Sequence, residues 1–180
     1  GFFFASKDVA RVLLANIHMY QGNYTTAKDL LQKVVDNGFY TLDASKNFIA
    51  STSTDDIDVA ESTEVIFALQ YDAGTRASVT IMEPGVMPYI TLSDVYLSLA
   101  ECHYELGDSN TAEQNIKKIL DAKNISTTET DVLMKIKDVR EQILLYSGTY
   151  FAFLKRTGLA KTICNIEDYQ LLFPIPSNEL

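Results

Sequence analysis

The stretch "LLANIHMYQGNYTTAKDLLQKVVDNG" (Leu13–Gly38) recurs in altered form as "SLAECHYELGDSNTAEQNIKKILDAKN" (Ser98–Asn124). A constant offset of 85 residues aligns the two copies. The matched positions are Leu14 and Leu99, Ala15 and Ala100, His18 and His103, Gly22 and Gly107, Ala27 and Ala112, Leu31 and Ile116, Lys33 and Lys118, and Val34 and Ile119. The chain therefore contains an internal repeat, and we expect both copies to adopt the same local fold.

Each copy has the pattern of a helical hairpin. In the second half of copy one, apolar residues recur at helical spacing: Ala27, Leu30, Leu31, Val34 and Val35. Gly22 and Gly107 supply the turns, because glycine tolerates positive φ, and the Asn or Asp that follows caps the next helix. The pattern predicts hairpins over about residues 6–37 and 91–122. It resembles the tetratricopeptide repeat, a helix-turn-helix unit of about 34 residues.

The helical period stops between the two copies, over residues 38–90. Most of this insert is predicted to be loop, with a short helix near Asn47–Ala50. The alternating apolar residues of "EVIFALQY" (Glu64–Tyr71) predict a short strand or extended segment.

A third helical block is predicted over about residues 128–157, in two helices, of which the second is rich in aromatic residues and ends at Gly158. The sequence that follows is interpreted as largely non-helical, with an extended tail over residues 165–180. Pro174 and Pro176 support this interpretation, because each fixes φ and lacks an N–H group. Together the elements predict an all-α fold in a single domain over residues 1–180.

Composition and charge exclude several function classes. The 15 basic and 24 acidic residues give a net charge of −9 without a basic patch, which argues against nucleic acid as a partner. No apolar run approaches the roughly 20 residues that a transmembrane helix needs. The sequence contains no GxSxG, HExxH or glycine-rich phosphate loop, so we predict neither an enzyme nor a cofactor.

The residues that could ligate a metal or act as nucleophiles are better explained by structure. His18 and His103 occupy the same repeat position, which indicates packing. Cys102 lies in an apolar helical run and is predicted to be a buried free thiol rather than half of a disulfide. There is no CxxC motif, and the acidic residues between 55 and 58 lack the glycine and terminal glutamate of a calcium loop, so no metal site is predicted.

Aromatic residues are the remaining candidates for ligand binding. The chain has ten Tyr and nine Phe, and most of them fall on helical stripes that indicate core packing. Tyr40, Tyr71 and Tyr89, in or beside the insert, are the best placed to be exposed and to bind ligand, because sugar C–H faces stack on aromatic planes. Lys155 and Arg156 are expected to keep their charges in water while their stems cover apolar surface.

Five segments of the chain are informative when they are taken together and in order. They are "ARVLLANIHMYQGNYTTAKDLLQKVVDNGFYTL" (Ala10–Leu42), "STEVIFALQYD" (Ser62–Asp72), "MPYITLSDVYLSLAECHYELGDSNTAEQNIKKI" (Met87–Ile119), "FAFLKRTG" (Phe151–Gly158) and "LFPIPSNEL" (Leu172–Leu180). In this order they resemble the SusD/RagB family of outer-membrane nutrient-binding lipoproteins. The resemblance implies an all-helical scaffold of tetratricopeptide-like hairpins with ligand-binding loops inserted into it. It also implies capture of a glycan or other nutrient at the cell surface, without catalysis, and delivery to a SusC-like TonB-dependent transporter.

Two further expectations follow from the resemblance. The tail is expected to brace the scaffold, with Phe173 and Ile175 buried against it. The chain is shorter than a typical member and lacks the lipoprotein cysteine, so we expect a shortened member or a trimmed form of a lipid-anchored precursor.

One departure from the family concerns the helix that leads into "LKR". Family members tend to carry acidic residues and an arginine along this helix. This chain keeps Arg140, but the other positions are uncharged: Val139, Ile143, Ser147, Tyr150 and Phe153. The departure argues against an ion-pair network of the family's kind.

A different class of function is also compatible with the repeats. A tetratricopeptide-type adaptor would hold a peptide in the groove of its hairpins and bind no glycan. Substitutions on the helices that face the groove would then abolish peptide binding, whereas changes at Tyr71 or Tyr89 would not.

Overall fold

The described part of the chain is mostly helical. The structure, a computed structural model, describes residues 5–43, 62–70, 86–144 and 148–172. Its elements in chain order are α1 (Lys7–Tyr20), α2 (Tyr24–Asp36), β1 (Val65–Gln70), β2 (Val86–Thr91), α3 (Leu92–Glu105), α4 (Ser109–Lys123), α5 (Val132–Leu144), α6 (Thr149–Arg156), α7 (Ala160–Cys164) and a 3₁₀ turn at Asp168–Leu171. The all-α fold class predicted from periodicity is confirmed.

Helices α1 and α2 form the first hairpin. Ser6 caps the start of α1, because its hydroxyl oxygen accepts a hydrogen bond from the backbone N–H of Val9 at 3.2 Å. The chain reverses at Gly22, which has a φ of 75°. Small side chains at Ala15 and Ala27, both fully buried, belong to the core of this hairpin.

Helices α3 and α4 repeat this design. The turn residue Gly107 has a φ of 82°, and the carboxylate of Asp108 caps α4 by accepting a hydrogen bond from the N–H of Thr111 at 3.1 Å. Asn124 follows the last residue of α4 and adopts the left-handed conformation with a φ of 52°. The two copies share the positive φ of the turn glycine, but Asn23, which was expected to cap α2 as Asp108 caps α4, makes no side-chain capping hydrogen bond.

The insert contributes a two-stranded antiparallel sheet. Strand β1 lies within the segment predicted to be extended, and it pairs with β2 from Val65 opposite Thr91 to Gln70 opposite Val86. Because β2 leads directly into α3, the sheet is attached to the start of the second hairpin. The short helix expected near Asn47–Ala50 lies outside the described residues.

A buried ion pair joins this sheet to the helices. The Glu64 carboxylate, just before β1, accepts a hydrogen bond from the Lys123 ammonium group at 2.7 Å, and both side chains are almost wholly buried. The same carboxylate also accepts hydrogen bonds from the backbone N–H groups of Asp43 and Ser93. Three hydrogen-bonding partners far apart in sequence thus fix one point of the insert on the scaffold.

Two clusters of buried apolar side chains form the core, and helix α3 contributes to both. Val95, Leu99 and Cys102 pack with α1, α2 and the sheet. Leu97 and Ala100, also on α3, pack with α4, α5, α6 and α7. Helix α3 is therefore the central element of the described fold.

The segment after Gly158 differs from the non-helical interpretation. It forms the five-residue helix α7, which ends at Asn165 with a φ of 50°, and then the 3₁₀ turn inside the range expected to be extended. Helices of one turn are too short to show an apolar period, which is why the pattern missed them. Phe173 and Ile175, the proposed brace, lie outside the described residues.

Both cysteines are free thiols. Cys102 is buried in the first core cluster, as predicted, and Cys164 is exposed at the end of α7. In the part of the chain that the structure describes, no helix is long and apolar enough to cross a membrane.

Candidate functional site

The site begins where the chain leaves α2. Gly38 has a φ of 68°, and the side-chain oxygen of Asn37 accepts a hydrogen bond from the N–H of Phe39 at 2.9 Å. After this turn, the next two side chains differ in how far they are exposed to solvent. Phe39 is 80% exposed, whereas Tyr40 is half-buried beside the first core cluster.

The Tyr40 ring is held through its hydroxyl group. The phenolic O–H donates to the buried carboxylate of Asp8 at 3.5 Å, and this carboxylate also accepts hydrogen bonds of 2.7 Å from Asn37 and from Arg11. Burial, together with the negative charge of Asp8, raises the pKa of Tyr40 above its ordinary value. The phenol therefore stays neutral, and Asp8 ties the start of α1 to the end of the hairpin.

A hollow of about 300 Å³ opens beside these residues. Its lining combines aromatic, hydroxyl and aliphatic side chains: Ser6, Phe39, Tyr40, Ser62, Thr63, Val65 and Ile66. The volume is at the lower end of the range for small-molecule sites. An exposed ring beside several hydroxyl groups offers one apolar face and several hydrogen-bonding groups, which is the combination that a sugar ring requires.

The three tyrosines named from the sequence occupy different surroundings. Tyr40 lines the hollow, whereas Tyr89 lies on β2 with 37% of its surface exposed and with its ring edge-on to Phe67 at 6.3 Å between centroids. Tyr89 is not among the described residues that line the hollow. Tyr71 lies outside the described residues.

The sequence did not single out Phe39, which lines the hollow. This ring follows Gly38, the last residue of copy one, and so it lies beyond the helical stripe of α2. An aromatic residue placed directly after a helix-ending glycine was the available signal, because such a residue has no helical face on which to be buried.

A charged network lies inside the helical scaffold. The buried guanidinium of Arg140 on α5 donates to the carboxylate of Asp94 at 2.8 Å and to the hydroxyl of Ser98 at 3.0 Å, both on α3. Glu101, also on α3 and fully buried, accepts two hydrogen bonds from Arg156 on α6. The network therefore joins α3, α5 and α6.

This network corrects two expectations from the sequence. The uncharged residues around Arg140 argued against ion pairing, but its acidic partners come from α3 rather than from its own helix. Arg156 was expected to place its charge in water, yet its side chain is only 7% exposed and is paired with Glu101. Burial lowers the pKa of Arg156, but the hydrogen bonds and charge of Glu101 outweigh burial, so the pKa lies above its ordinary value.

The polar groups of the described residues do not assemble a metal site. No group of three or more His, Cys, Asp or Glu side chains could hold a metal ion in the ranges that the structure describes. His103 lies 3.3 Å from the carboxylate of Asp108 at the turn of the second hairpin. His18, at the same position of the first hairpin, is half-buried near its turn.

Comparisons with known proteins agree on the family and the fold. The SusD family model matches residues 17–144. A crystal structure of a SusD superfamily protein from Bacteroides vulgatus ATCC 8482 superimposes with a TM-score of 0.67 at 15% sequence identity. The aligned region covers 92% of this chain and 55% of that one, so the chain spans about half the length of this similar structure.

A search of curated proteins gives no match. The family match covers well over half of the chain and includes the turns of both hairpins together with the buried network of α3 and α5. The chain belongs to the SusD/RagB family.

Proposed function

We propose that the chain is a non-catalytic, SusD-like nutrient-binding component of an outer-membrane uptake system. It captures a glycan or another nutrient and passes it to a SusC-like TonB-dependent transporter. The observation that carries this proposal is the family match over residues 17–144, which begins in the last turn of α1 and ends with α5. The expected location is the cell surface, with a lipid anchor on the precursor.

The ligand, in this proposal, binds to aromatic residues in and beside the insert. Phe39 offers the most exposed ring of the hollow, and Tyr40 offers a ring edge that Asp8 holds in place. Tyr89 adds an exposed ring on β2, and Tyr71 follows β1 directly in the sequence. A neutral glycan suits these rings better than an anion, because the chain carries a net charge of −9.

Co-purification tests the transporter partner. The tagged chain is incubated with detergent-solubilised outer membranes of the organism that encodes it, and the retained proteins are identified by mass spectrometry. We expect a TonB-dependent transporter to be retained by this chain and not by an unrelated helical protein of similar charge. Retention of no transporter, together with no binding to any glycan in calorimetry, would overturn the proposed function.

Calorimetry with soluble glycans tests the hollow. Phe39→Ala removes the exposed ring without opening the core, and we expect it to weaken binding by about tenfold, or about 1.4 kcal/mol. Tyr40→Phe keeps the ring but removes its hydrogen bond to Asp8. Tyr169→Ala serves as the control, because Tyr169 is 74% exposed and lies outside the hollow. Equal affinity of Phe39→Ala and the parent chain would exclude the hollow as the site.

A peptide-binding adaptor is the second candidate, and one observation favours it. Helix α1 exposes Leu13, Leu14 and Ile17, which is unusual for large apolar side chains on one helix. Such an adaptor would lose peptide binding on Ile17→Arg and keep it on Tyr89→Ala. A nutrient-binding protein with its ligand at the insert would show the opposite pattern for its glycan.

A further inference from the structure

A second cleft lies where the turn of the first hairpin meets the end of α6. Its volume is about 600 Å³, within the range of small-molecule sites. Its lining consists of Met19, Tyr20, Gln21, Gly22 and Tyr24 from the first hairpin and of Lys155 and Arg156 from α6. None of these residues lines the hollow at Tyr40.

Tyr20 forms an aromatic platform in this cleft. It is the last residue of α1, and 54% of its surface is exposed. The guanidinium of Arg156 lies over its ring, 5.3 Å from the centroid. Arg156 is itself fixed by two hydrogen bonds to the fully buried Glu101. One side of the ring is therefore in contact with a guanidinium group that is itself hydrogen-bonded, so a ligand that stacks on the ring needs to order little of the protein.

The charges around the cleft favour a neutral ligand. The charge of Arg156 is balanced by Glu101, and Glu105 adds a nearby carboxylate. An anionic ligand would therefore gain little binding free energy from electrostatic attraction. A cationic ligand would approach the positively charged Lys155 ammonium group, which also lines the cleft. Burial, followed by the charges of Glu105 and Glu101, raises the pKa of Tyr24 to about 12, so its phenol remains a neutral hydrogen-bonding group at physiological pH.

Polar groups around the platform provide hydrogen bonds of both kinds. The side-chain oxygen of Gln21 accepts a hydrogen bond from Asn23 at 3.2 Å, which holds the amide so that its N–H groups can donate. The Lys155 ammonium group is a donor, and the Tyr24 hydroxyl is both a donor and an acceptor. A ligand with one apolar face and a rim of hydroxyl groups satisfies this arrangement.

We propose that this cleft is a second carbohydrate-binding site, in which a neutral sugar ring stacks on Tyr20 while its hydroxyl groups bind Gln21, Tyr24 and Lys155. The inference rests on the proposed nutrient-binding function and adds a site on the helical scaffold, away from the insert. A glycan chain would then have two points of attachment on one protein, which raises its affinity through effective concentration.

Titration followed by NMR tests the cleft. The ¹⁵N-labelled chain is titrated with neutral hexasaccharides of glucose, xylose, galactose and mannose up to about 10 mM, which detects millimolar dissociation constants. We expect at least one sugar to shift the backbone amide signals of Tyr20, Gly22 and Lys155. Shifts confined to the surroundings of Tyr40 or Tyr89, or no shifts with any of the four sugars, would overturn this site.

Three variants test whether the Tyr20 ring provides the stacking surface for the sugar. We expect Tyr20→Ala to weaken the binding measured at the cleft signals by at least about tenfold and Tyr20→Phe to change it by less than about threefold, because stacking needs only the ring. Tyr169→Ala, at an exposed tyrosine elsewhere, should leave binding unchanged. Equal loss in Tyr20→Ala and Tyr169→Ala would contradict the proposal. The co-purification assay uses no sugar, so a chain that retains a transporter but fails here loses only the second site.

Discussion

Arg140 carries a charge in the interior of the protein and depends on its partners there. Its guanidinium is buried between Asp94 and Ser98, close to Glu101, and it also lies over the Phe153 ring at 5.0 Å. A buried charge is tolerated only when it is paired and hydrogen-bonded.

Removing this charge should destabilise the fold strongly. We expect Arg140→Ala to lower the free energy of unfolding by about 3–5 kcal/mol, because Asp94 loses its buried partner. Urea denaturation followed by circular dichroism measures the change. The control is Lys161→Ala, whose ion pair with Asp168 is exposed and should contribute less than about 1 kcal/mol. Equal stability of the two variants would show that the network contributes little.

The two thiols should differ in reactivity. Burial raises the pKa of the Cys102 thiol to about 12, whereas Cys164 is exposed. We therefore expect a colorimetric thiol reagent to titrate one thiol per native chain at neutral pH and two after denaturation. The variant Cys164→Ser should abolish the native reaction. Rapid reaction of a second native thiol would contradict the buried position of Cys102.

For single residues, the sequence predicted which apolar side chains are buried better than it predicted which charged side chains form ion pairs. The apolar residues around Cys102 were enough to predict a buried thiol, because residues three or four positions apart on a helix share a face and Leu99 precedes Cys102 by three. The partners of Arg140 and Arg156 could not be found in this way. Glu101 and Arg156 are 55 residues apart, and no local spacing encodes a contact between two helices at that distance.

Each hairpin depends on one glycine with positive φ. Gly22 and Gly107 have φ values of 75° and 82°, and a Cβ atom at either position would meet no heavy atom within 4 Å. The glycine is therefore required by the backbone conformation and not by a lack of space.

Substituting either turn glycine should lower the free energy of unfolding by the same amount. We expect Gly22→Ala and Gly107→Ala each to destabilise the protein by about 1–2 kcal/mol, the cost of a left-handed L-residue. The asparagine variants should recover part of this loss, because Asn tolerates the left-handed region. Thermal denaturation of the four variants checks this. An alanine variant as stable as the parent would contradict the assigned turn conformation.

For helices and strands, a regular spacing of apolar residues was the reliable signal of secondary structure. The apolar stripes of α2 and α4 and the alternation in β1 indicated these elements correctly. Helix α7 has only five residues, too few for a helical spacing of apolar residues to show. The position of Phe39 follows from the geometry of the Gly38 turn and not from the internal repeat. The hollow beside Tyr40 also depends on Ser62 and Thr63, which lie far from Tyr40 in sequence, so only tertiary packing reveals it.

Stability of the whole molecule should fall at alkaline pH. Burial raises the pKa of Cys102 from 9.0 and that of Tyr24 from 10.0, both to about 12. The folded state therefore keeps protons that the unfolded state releases as the pH rises above about 9, and stability decreases from there up to about pH 12.

Denaturant unfolding at pH 7.5, 9 and 10.5 measures this decrease. We expect the midpoint to fall most between pH 9 and 10.5, because the thiol is mostly ionised in the unfolded state over this interval and stays protonated in the folded state. The variant Cys102→Ala lacks the thiol and should lose less stability between pH 9 and 10.5 than the parent chain does. An unchanged midpoint in the parent at pH 10.5 would contradict a buried, protonated thiol.

The pairing of β1 with β2 affects which lengths of chain can connect the two strands. Gln70 and Val86 lie opposite each other at the end of the ladder, while the Glu64–Lys123 ion pair anchors the start of β1. Any segment that joins these two neighbouring positions closes a loop whose entropic cost rises by only about 0.6 kcal/mol for each doubling of length. We therefore expect residues 71–85 to tolerate replacement by shorter or longer sequences, because the pairing of the two strands and the Glu64–Lys123 ion pair lie outside this segment.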